Sequence, residues 1–261
     1  MKGFLLCMLL CCCVGEASAQ EITATLAGKF PMKAERFIGI DTYGNRYVVN
    51  HNTLVKTSEN KTYQFSDLQL GHLSSVDILN PLKIVLFYRN MNTAVLLDDK
   101  LSEITRINFN RLTDYRNVDF ATKANQHRLW ILNADAQELE LFNYQRKRVE
   151  AHSHPLSGKI LQQVSDFNYC WILTDAQLLH YNAYGSFMNA LPANGVNHIA
   201  YRDGRLILLK NNALQIVLKK EQDFRSISIS EIQIKDFYLA DENLYIYDGK
   251  SLYHYILNFP N

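Results

Sequence analysis

The stretch DGRLILLKNNALQIVL, residues 203–218, decides the fold. It reads as a turn, an apolar run, a second turn and a second apolar run. Asp203-Gly204 and Asn211-Asn212 are pairs that accept the left-handed backbone tight hairpins need. Leu206 to Leu209 is a short unbroken apolar run, the pattern of a strand covered on both faces. The same order recurs at Tyr47, Ile84, Leu129, Cys170, Leu206 and Leu244, with spacings of 37, 45, 41, 36 and 38 residues. A period of about 40 residues carrying only strand signals predicts a β-propeller.

Three turn positions recur in register. The first are Gly44-Asn45, Asn80-Pro81, Asn125-Gln126, Asn168, Asp203-Gly204 and Asp241-Glu242. The second include Asn50-His51-Asn52, Asn90-Met91-Asn92 and Asn211-Asn212. Asp98-Asp99, Tyr144-Gln145, Tyr184-Gly185 and Lys219-Lys220 mark the third. No segment carries an apolar stripe at helical spacing, so very little helix is expected.

The ends predict how the ring closes. The last unit offers three strands, Ile234 to Leu239, Leu244 to Tyr247 and Leu252 to Leu257, and lacks an outer one. The spare strand-like stretch Ile22 to Phe30 is expected to supply it, giving an all-β, six-bladed propeller closed by its N-terminal strand. Alternation in that last unit places Tyr245, Tyr247, Tyr253 and Tyr255 on one face, for packing between blades.

Residues 1–19 read as an export signal. Met1-Lys2 is a short positive start, Phe4 to Val14 an apolar run, and Ala17-Ser18-Ala19 a small-residue cleavage site. Cleavage after Ala19 leaves a single domain over 20–261, expected in the periplasm or at the outer membrane. No later apolar run is long enough for a membrane-spanning helix. Four of the five cysteines sit in the signal, which leaves Cys170 alone, as a buried and inert thiol. Net charge is +1, and the only basic run, Arg146-Lys147-Arg148, falls at a surface turn, so composition gives no support to nucleic acid as a partner.

The stretch Asn80 to Tyr88, continuing through Thr93 to Asp98, together with Gly44-Asn45 and Arg128-Leu129-Trp130, resembles a group of exported envelope proteins of Bacteroidota. At the level of fold the chain is similar to NHL-like and TolB-like propellers. It departs from WD40 repeats because no unit ends in Trp-Asp, and from kelch repeats because no unit carries paired glycines. The resemblance implies a propeller-like envelope protein and carries no catalytic motif.

Candidate site residues come from one recurring position. Asp77, Asp119, His198 and Asp236 stand at the presumed innermost strands, 7, 10, 8 and 8 residues before their anchors. Equivalent positions converge in a closed ring, so these four are the expected ligand-binding set at a channel mouth, where carboxylates and an imidazole suit a cation or a basic ligand. The competing role is structural: each side chain accepts backbone N–H groups of its neighbour and sets registry between blades. His152-Ser153-His154 is the only close histidine pair, and the following Pro155 marks a loop, so no metal site is expected. No Gly-x-Ser-x-Gly elbow and no glycine-rich phosphate loop occur. The expectation is a non-enzymatic binding or scaffolding propeller with an envelope protein as partner, without cofactor or catalytic residues. The alternatives are a small-ligand or glycan binder and a propeller-type lyase or hydrolase.

Overall fold

The computed structural model describes residues 22–59, 61–218 and 223–259. The export segment 1–19 and the Lys219-Lys220 turn lie outside the described residues. Strands dominate, with only two single-turn 3-10 segments besides them among the described residues.

The described residues begin with β1 (Ile22–Pro31) and then run through successive antiparallel meanders. The first is β2 (Arg36–Ile40), β3 (Arg46–Asn50), β4 (Thr53–Thr57) and β5 (Thr62–Phe65). The second is β6 (Ser75–Asp77), β7 (Ile84–Tyr88), β8 (Thr93–Leu97) and β9 (Glu103–Asn108). Next come β10 (Val118–Lys123), β11 (Arg128–Asn133), β12 (Glu138–Asn143) and β13 (Arg148–His152). The fourth is β14 (Ile160–Ser165), β15 (Tyr169–Thr174), β16 (Gln177–Asn182) and β17 (Phe187–Pro192). The chain continues as β18 (Val196–Arg202), β19 (Arg205–Lys210), β20 (Ala213–Leu218) and β21 (Arg225–Ser228). It finishes with β22 (Asp236–Ala240), β23 (Asn243–Tyr247) and β24 (Ser251–Asn258).

The expected count of six separate blades is corrected by the sheet topology. Four blades stand alone as four-stranded sheets, and the remaining strands form one continuous eight-stranded sheet, β18-β19-β20-β21-β1-β24-β23-β22. The reason is the double role of β1. Most of its length pairs antiparallel with β24, from Thr23 opposite Asn258 to Pro31 opposite Ser251, with a bulge between Leu26 and Gly28. Its first two residues also pair in parallel with β21, Ile22 opposite Ile227 and Thr23 opposite Ser228. Ile22 is fully buried between them and welds the two edges together.

Faces of neighbouring sheets pack on one another, which explains the unbroken apolar runs. Every residue of β7 and of β8 is buried. Ile84, Leu86 and Tyr88 pack toward Tyr47, Val49 and Leu54. Val85 and Phe87, on the opposite face, pack toward Leu129 and Ile131. The anchors Ile84, Leu129, Cys170, Leu206 and Leu244 thus face the preceding sheet. Tyr47 is the exception, packing with the following sheet, so the repeat slips by one residue in the first unit. In the last unit Tyr253 and Tyr255 stand opposite Ile246 and Leu244, and the four tyrosines therefore divide between two faces rather than sharing one.

The asparagine turns also join neighbours. His51, Asn52, Asn92, Asn211 and Asn212 hold φ between 47° and 62°, the left-handed region that asparagine tolerates. From there Asn92 Oδ1 accepts the N–H of Val118 at 3.0 Å, and Asn212 Oδ1 accepts that of Ile234 at 2.8 Å. Each turn residue thus positions the entry to the next meander.

Candidate functional site

The strands β2, β6, β10, β14, β18 and β22 line a single channel enclosing about 380 Å³. Polar side chains link each of these strands to the next. Asp77 Oδ2 accepts the N–H of Lys123 in β10 at 2.6 Å, and its Oδ1 accepts that of Leu79 at 2.8 Å. Gln163 Nε2 donates to Thr122 Oγ1 at 2.7 Å, and Ser165 Oγ donates to the Lys123 carbonyl at 3.0 Å, tying β14 to β10. Gln162 grips Ile199 of β18 by both backbone groups, at 2.8 and 2.9 Å. The His198 ring meets Phe237 of β22 edge-on at 5.0 Å. Asp236 Oδ2 accepts the N–H of Phe37 in β2 at 3.0 Å, and Arg36 Nη1 donates to the Leu73 carbonyl just before β6 at 3.0 Å.

Three of the four sequence-predicted residues, Asp77, His198 and Asp236, line this channel, but they divide between its two ends. Asp236 opens β22 and His198 lies near the start of β18, beside Arg36 at the start of β2. Asp77 closes β6, on the side where Arg202 closes β18. Asp119 lies off the channel. Val118 and Phe120 pair with consecutive residues of β11, so Asp119 is the extra residue of a β-bulge. Its carboxylate sits at the surface, 3.6 Å from Arg89 Nε. The matching bulge recurs in β14 and in β18, where His198 keeps an offset of 8, so the offset of 10 does not by itself mark the bulge.

Burial governs the electrostatics. Desolvation pushes the Asp77 carboxyl up, against the Lys123 and Leu79 N–H groups that pull it down. It pushes His198 down, opposed by the charge of Asp236 and assisted by that of Arg36. Desolvation also lowers Arg36, which the Asp236 charge partly restores, and raises the Tyr238 phenol to about 12. Tyr238 lies across Gly39, where an added Cβ would come within 2.5 Å of the ring.

Arg36, Arg202, Tyr238 and Gln162 were not singled out from the sequence. The available signal was a charged or amide residue at the end of, or inside, an otherwise apolar inner run, as in Glu35-Arg36-Phe37 or Tyr201-Arg202. Elsewhere, His152 and His154 are both exposed with buried Ser153 between them, and His152 Nδ1 lies 3.1 Å from Glu138 Oε2. Among the described residues no group of three or more His, Cys, Asp or Glu side chains is placed to hold a metal ion. Cys170 is fully buried, and desolvation pushes its thiol well up.

Radial sheets around a channel are the arrangement found in solved propellers. The WD40 repeats of RRP9 match with a TM-score of 0.62 at 8% identity, covering 91% of this chain and 100% of that one. The chain is a β-propeller. The Pan2 WD40 domain of Neurospora crassa matches with a TM-score of 0.57 at 8% identity, over 87% of this chain and 76% of that one. PorZ of Porphyromonas gingivalis, described as an essential bacterial surface component of the type-IX secretion system, matches with a TM-score of 0.52 at 14% identity. That match covers 87% of this chain and 31% of PorZ. No family model matches the propeller, and no curated protein matches it in sequence. Identities this low carry the fold alone. No helix among the described residues is long and apolar enough to cross a membrane.

Proposed function

We propose that this propeller is an exported, non-enzymatic binding module that holds a protein partner in the bacterial envelope. The observation that carries this reading is a rigid, apolar-tipped loop cluster at one end of the β6–β9 sheet. Leu68 is 95% exposed, Tyr115 51% and Met91 42%, on three connections that meet that end. Exposed side chains of this size cost free energy in water and favour a partner that covers them.

These loops are held, which suits recognition. Asp67 accepts N–H bonds from Gln69 and Leu70, and Arg106 Nη2 lies 2.7 Å from both Asp67 and Glu103. Asn92 Nδ2 donates to the Arg116 carbonyl at 2.6 Å, and Arg116 pairs with buried Glu140 at 2.9 Å. A loop ordered before binding loses little entropy on docking. The resemblance to Bacteroidota envelope proteins, the signal-like residues 1–19 and the likeness to a bacterial surface component support the envelope as the place of action.

The test is recovery of partners from native envelope extracts by crosslinking. A Leu68→Asp/Tyr115→Ala double variant is expected to fold normally and to lose the partner captured by the native chain. A captured partner that the double variant retains contradicts this surface, and turnover of a substrate contradicts the non-enzymatic reading.

A further inference from the structure

Each end of the channel carries charges of both signs, and that limits what it holds. Arg36 and Asp236 act on one another where the inner strands begin; where they finish, Asp77 feels the charges of Lys123 and Arg202, and Arg202 Nε lies 3.3 Å from Asp203. The carboxylates are already engaged: Asp236 by the N–H of Phe37, Asp77 through both oxygens by Leu79 and Lys123. A cation therefore meets no unspent pair of carboxylates, and an anion meets an aspartate beside each arginine. Unspent capacity of both kinds remains. Arg36 uses one N–H on the Leu73 carbonyl, Asp236 uses one of its oxygens, and the Tyr238 hydroxyl both donates and accepts. The Tyr238 ring, close against Gly39, adds apolar area to the lining.

We infer that the channel binds a neutral polyhydroxylated ligand, a mono- or disaccharide or the tip of a glycan. A sugar hydroxyl donates to a carboxylate while accepting from a guanidinium, so the Arg36–Asp236 set, with one carboxylate oxygen and guanidinium N–H groups to spare, is a matched receptor for it. The enclosed 380 Å³ lies at the small end of the range for ligand pockets, about 300–1,000 Å³, and admits about one or two sugar rings. This inference stands apart from the loop surface that holds the partner, because the residues involved do not overlap.

The experiment is calorimetry and thermal shift with glucose, galactose, N-acetylglucosamine, maltose and maltotetraose at about 10 mM. Citrate, lysine and calcium serve as charged comparisons, each at about 0.05 and 0.5 M salt. At least one sugar is expected to raise the melting temperature, with an affinity that changes less than about twofold with salt. Tighter binding of maltotetraose than maltose identifies a glycan end, and equal binding identifies a free sugar. Arg202→Gln and Asp236→Asn are each expected to weaken binding about tenfold or more, while Asp119→Asn, off the channel, leaves it unchanged. Tyr238→Phe supplies the same readout should either variant fail to fold. No binding by any of these sugars, undiminished binding in folded channel variants, or salt-sensitive binding of citrate in preference to sugars overturns the inference. Because none of these readouts involves Leu68 or Tyr115, they separate it from the scaffold reading.

Discussion

The β6–β9 sheet and the eight-stranded sheet are held by different means. In β7 and β8 every side chain is buried, and the loops at one end are pinned by Asp67–Arg106 and Arg116–Glu140 ion pairs. In β1 only Ile22 is buried, Leu26 and Phe30 stand exposed, and the parallel junction with β21 spans two residue pairs. The first sheet is closed by packing on both faces. The second is closed by backbone pairing along one strand at the start of the described chain. Rigidity and the recognition surface coincide in the first, and the integrity of the ring depends on the second.

Removing β1 breaks the comparison most severely. Deletion of residues 22–31 exposes the edge of β24 and uncovers Ile227, and it is expected to abolish cooperative unfolding of the whole ring in a denaturant titration followed by circular dichroism. A deletion variant with native cooperativity shows that the strand is dispensable. The same substitution at both regions sharpens the contrast. Leu86→Ala in β7 is expected to cost about 2–5 kcal/mol, and Leu26→Ala in β1 less than about 0.5 kcal/mol, by equilibrium denaturation. Equal costs would mean that the outer strand is packed as tightly as the interior.

Acid makes a smaller distinction. His198, His180 and His254 all have pKa values lowered from 6.5, burial being the first cause in each, and none lies in the β6–β9 sheet. A histidine kept neutral in the fold binds fewer protons there than in the unfolded chain. Its contribution is therefore full above about pH 6.5 and is lost as pH falls below 6.5 through the folded-state value. Melting temperature is expected to decline between about pH 6.5 and 5, with a shallower slope in His198→Asn. A flat profile over that range, or one unchanged in the variant, contradicts the assignment.

The all-β propeller was legible because its period and its turn residues are local properties. Asp203-Gly204 and Asn211-Asn212 specify their turns whatever surrounds them. The sheet organisation was not legible, because whether Ile22 pairs with one edge or two depends on contacts with Ile227, some 200 residues away. The channel residues were partly legible. Asp77, His198 and Asp236 lie where a recurring position placed them in the lining, but their places along the strands, first in β22 and last in β6, divide them between two ends. A single extra residue in β10 turns Asp119 outward, and no side-chain pattern near it encodes that bulge. Arg36 and Arg202 escaped notice because a charged residue beside a turn usually means solvent. Only the closed ring shows that these two line a shared channel.

The junction itself can be trapped. In chain produced without residues 1–19, two cysteine pairs are introduced separately: Thr25→Cys with Ile256→Cys, and Thr23→Cys with Ser228→Cys. Facing strands bring Cα atoms within the span of a disulfide, about 4.4–6.8 Å, and the remaining Cys170 is buried. Under mild oxidation both pairs are expected to form intramolecular disulfides in folded protein. A link at 25–256 with none at 23–228 would mean that β1 completes the last meander without joining β21, and the continuous eight-stranded sheet would be refuted.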